Sequence, residues 1–218
     1  FMALIGNSVW VASAAAVVCA AAALWLAYAE RLYPQRLVRG GVRVATLGYA
    51  VPGLVLAVAL MLPMTSFDKW IATALRDVLD IRWGLLLTGT SAALIFVYVA
   101  RFLTVAFNST QAGLIQIHPQ LDAAARSLGH SPGSVLRRVH LPLLRPAILT
   151  GLLLVFIDVM KELPATLILR PFNFETLATW VYRYASDERL AEASTAALAI
   201  VLVSLVPRVM LSPSRRWG

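Results

Sequence analysis

Residues 1 to 29 contain no charged side chain, and four further apolar runs follow: Ala45 to Met64, Gly84 to Ala100, Leu143 to Ile157 and Ala193 to Val206. A bilayer core of about 30 Å takes roughly 20 helical residues, so each run, with modest extension at its ends, is long enough to cross. The runs are continuously apolar and lack the alternation of a lipid-facing strand, which leaves helices rather than a barrel. Composition agrees, with 60% hydrophobic and 14% charged residues. The reading is an all-α, polytopic transmembrane bundle of about five to six spans, a single domain over residues 1–218.

The net charge of +8 raises nucleic acid as a partner, but the basic residues sit in particular loops rather than along one soluble face, so no nucleic-acid role is read. Arg31, Arg36, Arg39 and Arg43 oppose Glu30 between the first two spans. Arg101, Arg126, Arg137, Arg138 and Arg145 oppose Asp122 between the third and fourth. Both loops are expected to be cytoplasmic. The alternate connections are balanced: Lys69, Arg76 and Arg82 meet Asp68, Asp77 and Asp80, and Lys161, Arg170, Arg183 and Arg189 are mixed with acids. With Arg208, Arg215 and Arg216 in the tail, the expected orientation is N-terminus outside and C-terminus inside. The first run has no basic segment before it and no clear small-residue cleavage site, so it reads as a span rather than a signal peptide.

Outside the spans, Phe67, Trp70, Ile71, Ala74, Leu75, Val78 and Leu79 recur at helical steps, and Thr65 with Asp68 suggests a capping box. An amphipathic helix on the outer interface is expected there, and a second over Leu177 to Ala185, carrying Trp180, Tyr182 and Tyr184. Pro52, Gly53 and Pro164 are expected to bend helices. The lone Cys19 excludes an internal disulfide and reads as a small core residue.

The polar insert LDAAARSLGHSPGSVLRRVHLP, Leu121 to Pro142, reads as a docking surface. A short helix from Gln120 to Leu128 places Leu121, Ala124, Ala125 and Leu128 on one face, Gly129 ends it, and a second short helix from Ser134 to His140 runs into Pro142. The insert resembles the cytoplasmic EAA loop of ABC transporter permeases: Glu-Ala-Ala, three residues, Gly, nine residues, Ile, one residue, Leu-Pro. Ala124, Ala125, Gly129, Leu141 and Pro142 match it, Val139 stands at the Ile position, and Ala123 stands where the pattern has Glu, with Asp122 the nearest acid. The resemblance implies a coupling loop over residues 112–147 that docks on an ATPase subunit, with Asp122, Ala123, Ala124, Ala125, Gly129, Val139, Leu141 and Pro142 as its coupling residues.

The segment DVMKELPATLILRPFNFETLATWVYRYASDERLAEA, Asp158 to Ala193, resembles the C-terminal half of ferric-iron ABC importer permeases. In that family one long polypeptide holds two such halves, an ATPase dimer binds the two loops, and a periplasmic binding protein delivers the ion. The resemblance implies a bacterial inner-membrane permease half for ferric iron, joined to a second half. Related permeases carry thiamine, polyamines, phosphonates or oxyanions, and a scaffolding half is the remaining alternative. This chain is therefore expected to be a piece of a longer permease, an expectation that its opening at Phe1 shares.

No GxxxxGK[ST] segment is present, so ATP is expected to be used by a partner, with no enzyme activity and no cofactor in this chain. His118, His130 and His140 read as solvated loop histidines, and no ligand set for a metal is evident. The ionisable cluster at membrane depth is Asp158, Lys161 and Glu162. It reads either as an intrahelical Asp158–Lys161 pair or as carboxylates lining a cation path.

Overall fold

In a computed structural model, residues 1–79 and 87–211 are described, and all regular structure among them is helical. The start of the run at Gly84, together with Asp80, Arg82, Arg215 and Arg216, lies outside these residues. The elements are α1 (Met2–Leu32), α2 (Arg36–Ala45), a 3-10 turn (Gly48–Ala50), α3 (Gly53–Leu79), α4 (Ser91–Ile115), α5 (Pro119–Ser127), α6 (Pro132–Val135), a π-helical turn (Leu136–His140), α7 (Leu141–Met160), α8 (Pro164–Leu169), α9 (Leu177–Ser186) and α10 (Leu190–Leu211). Met2–Leu32, Gly53–Asp77, Ser91–Ile115 and Pro132–Met160 are long and apolar enough to cross a membrane, and Leu190–Leu205 is a shorter apolar helix.

The second run begins later than composition suggests. Ala45 closes α2, and the chain passes through the 3-10 turn before α3 starts at Gly53. Pro52 and Gly53 therefore precede the helix instead of bending it, and the proline inside α3 is Pro63. The expected separate interfacial helix is also corrected, because α3 continues unbroken through that stretch. Thr65 is not a cap: its hydroxyl donates to the Met61 carbonyl at 2.8 Å, as hydroxyls in mid-helix do. Asp68 is buried at 1% exposure, and its carboxylate accepts from the backbone N–H groups of Leu87 at 2.9 Å and Thr88 at 2.6 Å. The local capping signal yields to donors some twenty residues away along the chain. Phe67 and Trp70 stay exposed on α3 with their rings stacked.

The chain forms two compact units, Ala16–Ala50 with Ala100–Val155, and Phe1–Ala15 with Val51–Val99 and Phe156–Gly218. In the first, α4 and α7 approach through small residues, the usual device where no hydrophobic effect drives helices together. A Cβ on Gly113 would lie 2.6 Å from that of Ala147, and one on Gly151 3.2 Å from the Ala106 Cα. Ser109 Oγ crosses the same contact to the Ala147 carbonyl at 2.8 Å. Gly48 is tighter still: a Cβ there would meet the Ala100 carbonyl oxygen at 1.8 Å. Beside it, Thr104 Oγ1 donates to the Thr46 carbonyl at 2.5 Å.

In the other unit, Ser8 Oγ accepts from Leu177 N–H at 2.8 Å, and Asn7 Nδ2 donates to the Glu175 carbonyl at 3.0 Å, tying α1 to the entry of α9. Helix α9 occupies the predicted second interfacial stretch and starts with a reciprocal Thr176–Thr179 capping box. Pro164 opens α8 after a break at the end of α7, and Tyr98 bridges to Thr166 at 2.6 Å.

Gly48→Ala is expected to destabilise the protein by about 3 kcal/mol or more, because the obstacle is backbone that cannot repack. Gly40→Ala, in α2 with open space around its Cα, is expected to be neutral or stabilising by about 0.5 kcal/mol. Thermal melts of the two detergent-purified variants check the contrast, and equal losses would contradict it.

Candidate functional site

Between α4 and α7 the chain leaves the apolar stretches for two short helices, each with an assigned start. His118 caps α5, its Nδ1 accepting from Gln120 N–H at 3.2 Å, with Pro119 at the first helical position. Ser131 caps α6, with Pro132 in the same role. The end of α5 is a Schellman turn: His130 N–H bonds the Ala125 carbonyl at 3.1 Å, and Gly129 takes φ +78°. Its predicted place at the helix end is met.

The faces of α5 are inverted relative to a helix lying on a core. Leu121 is 45% exposed and Leu128 78% exposed, and Ala123 and Ala124 are not buried with the core, whereas Ala125 is buried. The apolar face points outward and the acid points inward. Gly129, Leu141 and Pro142 are also exposed, and Val139 is half-buried. A solvent-facing leucine stripe on an otherwise polar loop is the signature of a surface that receives a partner.

Asp122 is bound on both carboxylate oxygens. Oδ2 accepts from Arg31 Nε at 2.8 Å and Oδ1 pairs with His140 Nε2 at 2.6 Å. Arg31 also donates through its terminal nitrogens to the carbonyls of Leu114 at 2.7 Å and Ile117 at 2.9 Å, which close α4. A carboxylate held by a guanidinium only accepts, so the imidazole proton sits on Nε2, and Nδ1 has no protein partner. Tyr28, one turn before Arg31, donates its hydroxyl to the Pro132 carbonyl at 2.6 Å and sets its ring edge against His140 at 5.4 Å. His140 is 1% exposed, which corrects its reading as a solvated loop histidine.

The π turn explains that placement. An i to i+5 turn stacks residues five apart, so Val135 and His140, both buried, share one face; in a plain α-helix five residues make about 1.4 turns and His140 would point elsewhere. Pro142 accounts for the wider turn, since its ring would crowd the Arg138 carbonyl of a regular helix. Sequence reasoning misses Arg31, Tyr28 and His140 as a set, because it counts Arg31 only as a topology charge. The usable signal is the place of Arg31 just past an uncharged span, one turn after Tyr28.

The membrane-depth cluster does not converge. Asp158 and Lys161 form an i,i+3 ion pair at 2.9 Å with the lysine largely exposed. Glu162 is buried and accepts from Ala165 N–H at 3.3 Å at the break before α8. Among the described residues no group of three His, Cys, Asp or Glu side chains could hold a metal.

The sequence model of the family described as binding-protein-dependent transport system inner membrane component matches residues 4–212. The chain is 30% identical over 211 residues to the Fe(3+)-transport system permease protein FbpB 2 of Haemophilus influenzae, covering 97% of this chain and 38% of that protein. It is 34% identical over 120 residues to a Salmonella typhimurium protein named for 2-aminoethylphosphonate transport, the permease protein PhnV, covering 55% and 43% respectively. The chain thus spans less than half the length of these relatives. Its fold is like that of a bacterial alginate ABC transporter solved in complex with alginate pentasaccharide-bound periplasmic protein, with a TM-score of 0.76 at 16% identity over 99% of this chain and 78% of that one. It is also like that of the inward-facing MetNI methionine ABC transporter, with a TM-score of 0.67 at 18% identity over 96% and 94%.

Gly129 meets open space, so substitutions there test backbone conformation rather than bulk. Gly129→Asn is expected to be tolerated, since Asn adopts the left-handed region readily, while Gly129→Val is expected to lose about 1–2 kcal/mol locally and loosen the end of α5. Hydrogen exchange at the Leu128 and His130 amides reads the difference; equal protection in both variants would refute it.

Proposed function

The chain belongs to the family of binding-protein-dependent transport system inner membrane components, and from that premise we propose that it is a permease half lining the translocation pathway of an ATP-driven importer. The observation that carries this reading is the outward apolar face of α5, with Leu121, Ala124 and Leu128 on a loop between two spans. That face, continued by Ala123, Gly129, Leu141 and Pro142, is the docking surface for one subunit of an ABC ATPase dimer, which hydrolyses ATP. In this reading the loop is cytoplasmic, the N-terminal end of α1 faces outward, a periplasmic binding protein delivers the solute there, and a second permease half completes the pathway.

Ferric iron is the solute we propose. Support comes from the likeness to FbpB 2, which extends over 97% of the chain. The PhnV likeness, over 55%, supports a phosphonate as the second reading. The Asp158–Lys161 pair supports a structural role for that cluster, since a carboxylate already neutralised on its own helix is a weak ligand for a passing cation.

The test is uptake into liposomes by the intact parent permease reconstituted with its ATPase. Ferric-loaded binding protein is expected to drive ATP-dependent uptake, and Leu128→Asp is expected to abolish both uptake and copurification of the ATPase. Uptake with 2-aminoethylphosphonate and not with iron would replace the substrate while leaving the importer reading; ATPase binding with no uptake of either would favour a scaffolding half. Failure of any ATPase to associate would end the importer reading.

A further inference from the structure

Each segment of the loop is bonded to the last turn of α1. The end of α4 is held through the Leu114 and Ile117 carbonyls on Arg31. Helix α5 is held through Asp122 on the same guanidinium, the start of α6 through the Pro132 carbonyl on Tyr28, and the π turn through His140 on Asp122 and against the Tyr28 ring. Glu30, between those two residues, accepts from Gln111 of α4 at 3.2 Å. Asp122 has both oxygens engaged within the chain, and the three side chains are 17%, 19% and 1% exposed for Arg31, Asp122 and His140.

Resting on the importer reading, we infer that Tyr28, Arg31, Asp122 and His140 are positioning residues that join α5 and the end of the first span into one mechanical body. Movement of α5 by an ATPase subunit then reaches α1 directly, and not only along the chain through α4 and α7. The physical basis is the kind of contact involved. A guanidinium that spends its donors on one carboxylate and two helix-terminal carbonyls fixes distance and orientation together, whereas apolar contacts between the same helices would let them slide. Asp122 thereby acts inside the permease rather than on the ATPase.

The experiment uses the reconstituted parent permease and its ATPase with Asp122→Asn, Arg31→Gln and the double variant, reading membrane levels, ATPase copurification and solute moved per ATP hydrolysed. The expected result is unchanged level and copurification with a fall of roughly tenfold in solute per ATP, within the range over which coupling residues act, and a double variant no worse than either single one. Full coupling in the single variants would overturn the inference while leaving the importer reading. So would loss of copurification in Asp122→Asn alone, which would make Asp122 a docking contact. If the unsubstituted permease binds no ATPase, both readings fall. Because charge variants can assemble poorly, a second measurement leaves all four positioning residues intact: spin labels at Tyr33→Cys and Ala124→Cys, both exposed positions. Their distance distribution is expected to be the same in the nucleotide-free and ATP-trapped states, and a shift between them would overturn the inference.

Discussion

A helix that ends at the edge of an apolar layer leaves carbonyl groups without partners, and something must donate to them. In this chain the donor comes from another helix. Arg31 meets the carbonyls of Leu114 and Ile117 and, with its remaining donors, the carboxylate of Asp122. A cation at a helix C-terminus also complements the dipole of that helix. Because the same guanidinium serves α4 and α5, the direction in which the chain leaves one fixes the direction in which it enters the other. The outward pose of Leu121 and Leu128 results from Asp122 being drawn in.

The spans are legible because they depend on composition over long windows, and tertiary context does little to change that. Their edges are less so. Ala45 to Val51 is as apolar as the residues of α3, yet it forms a helix end and a 3-10 turn, because Gly48 lets the backbone lie against the Ala100 carbonyl. Nothing local announces that contact. The Thr65–Asp68 pair shows the converse case, a correct local motif overruled by long-range donors at Leu87 and Thr88.

In the loop, the position of Gly129 is readable because a left-handed residue has a short list of occupants. The reach of His140 is not. Sequence periodicity assumes a regular helix, and the π turn shifts everything after it by a fraction of a turn, so a residue assigned to solvent arrives at the carboxylate of Asp122. Arg31 poses a related difficulty: a charge after a span serves topology rules well enough that a second use goes unnoticed.

The π turn has a consequence for how this segment can vary in length. From Pro132 to Met160 the chain is one helical rod, and the turn at Leu136–His140 stores one residue more than a regular helix of that pitch would hold. Removing a residue there would let the rod become regular, but it would swing one end against the other by about 100°. Either His140 would leave Asp122, or Gly151 would leave its seat on Ala106. Length in this stretch is thus a measure of angle, and the polar turn at Gly129 to Ser131 is the place where the loop can gain or lose residues without rotating α7.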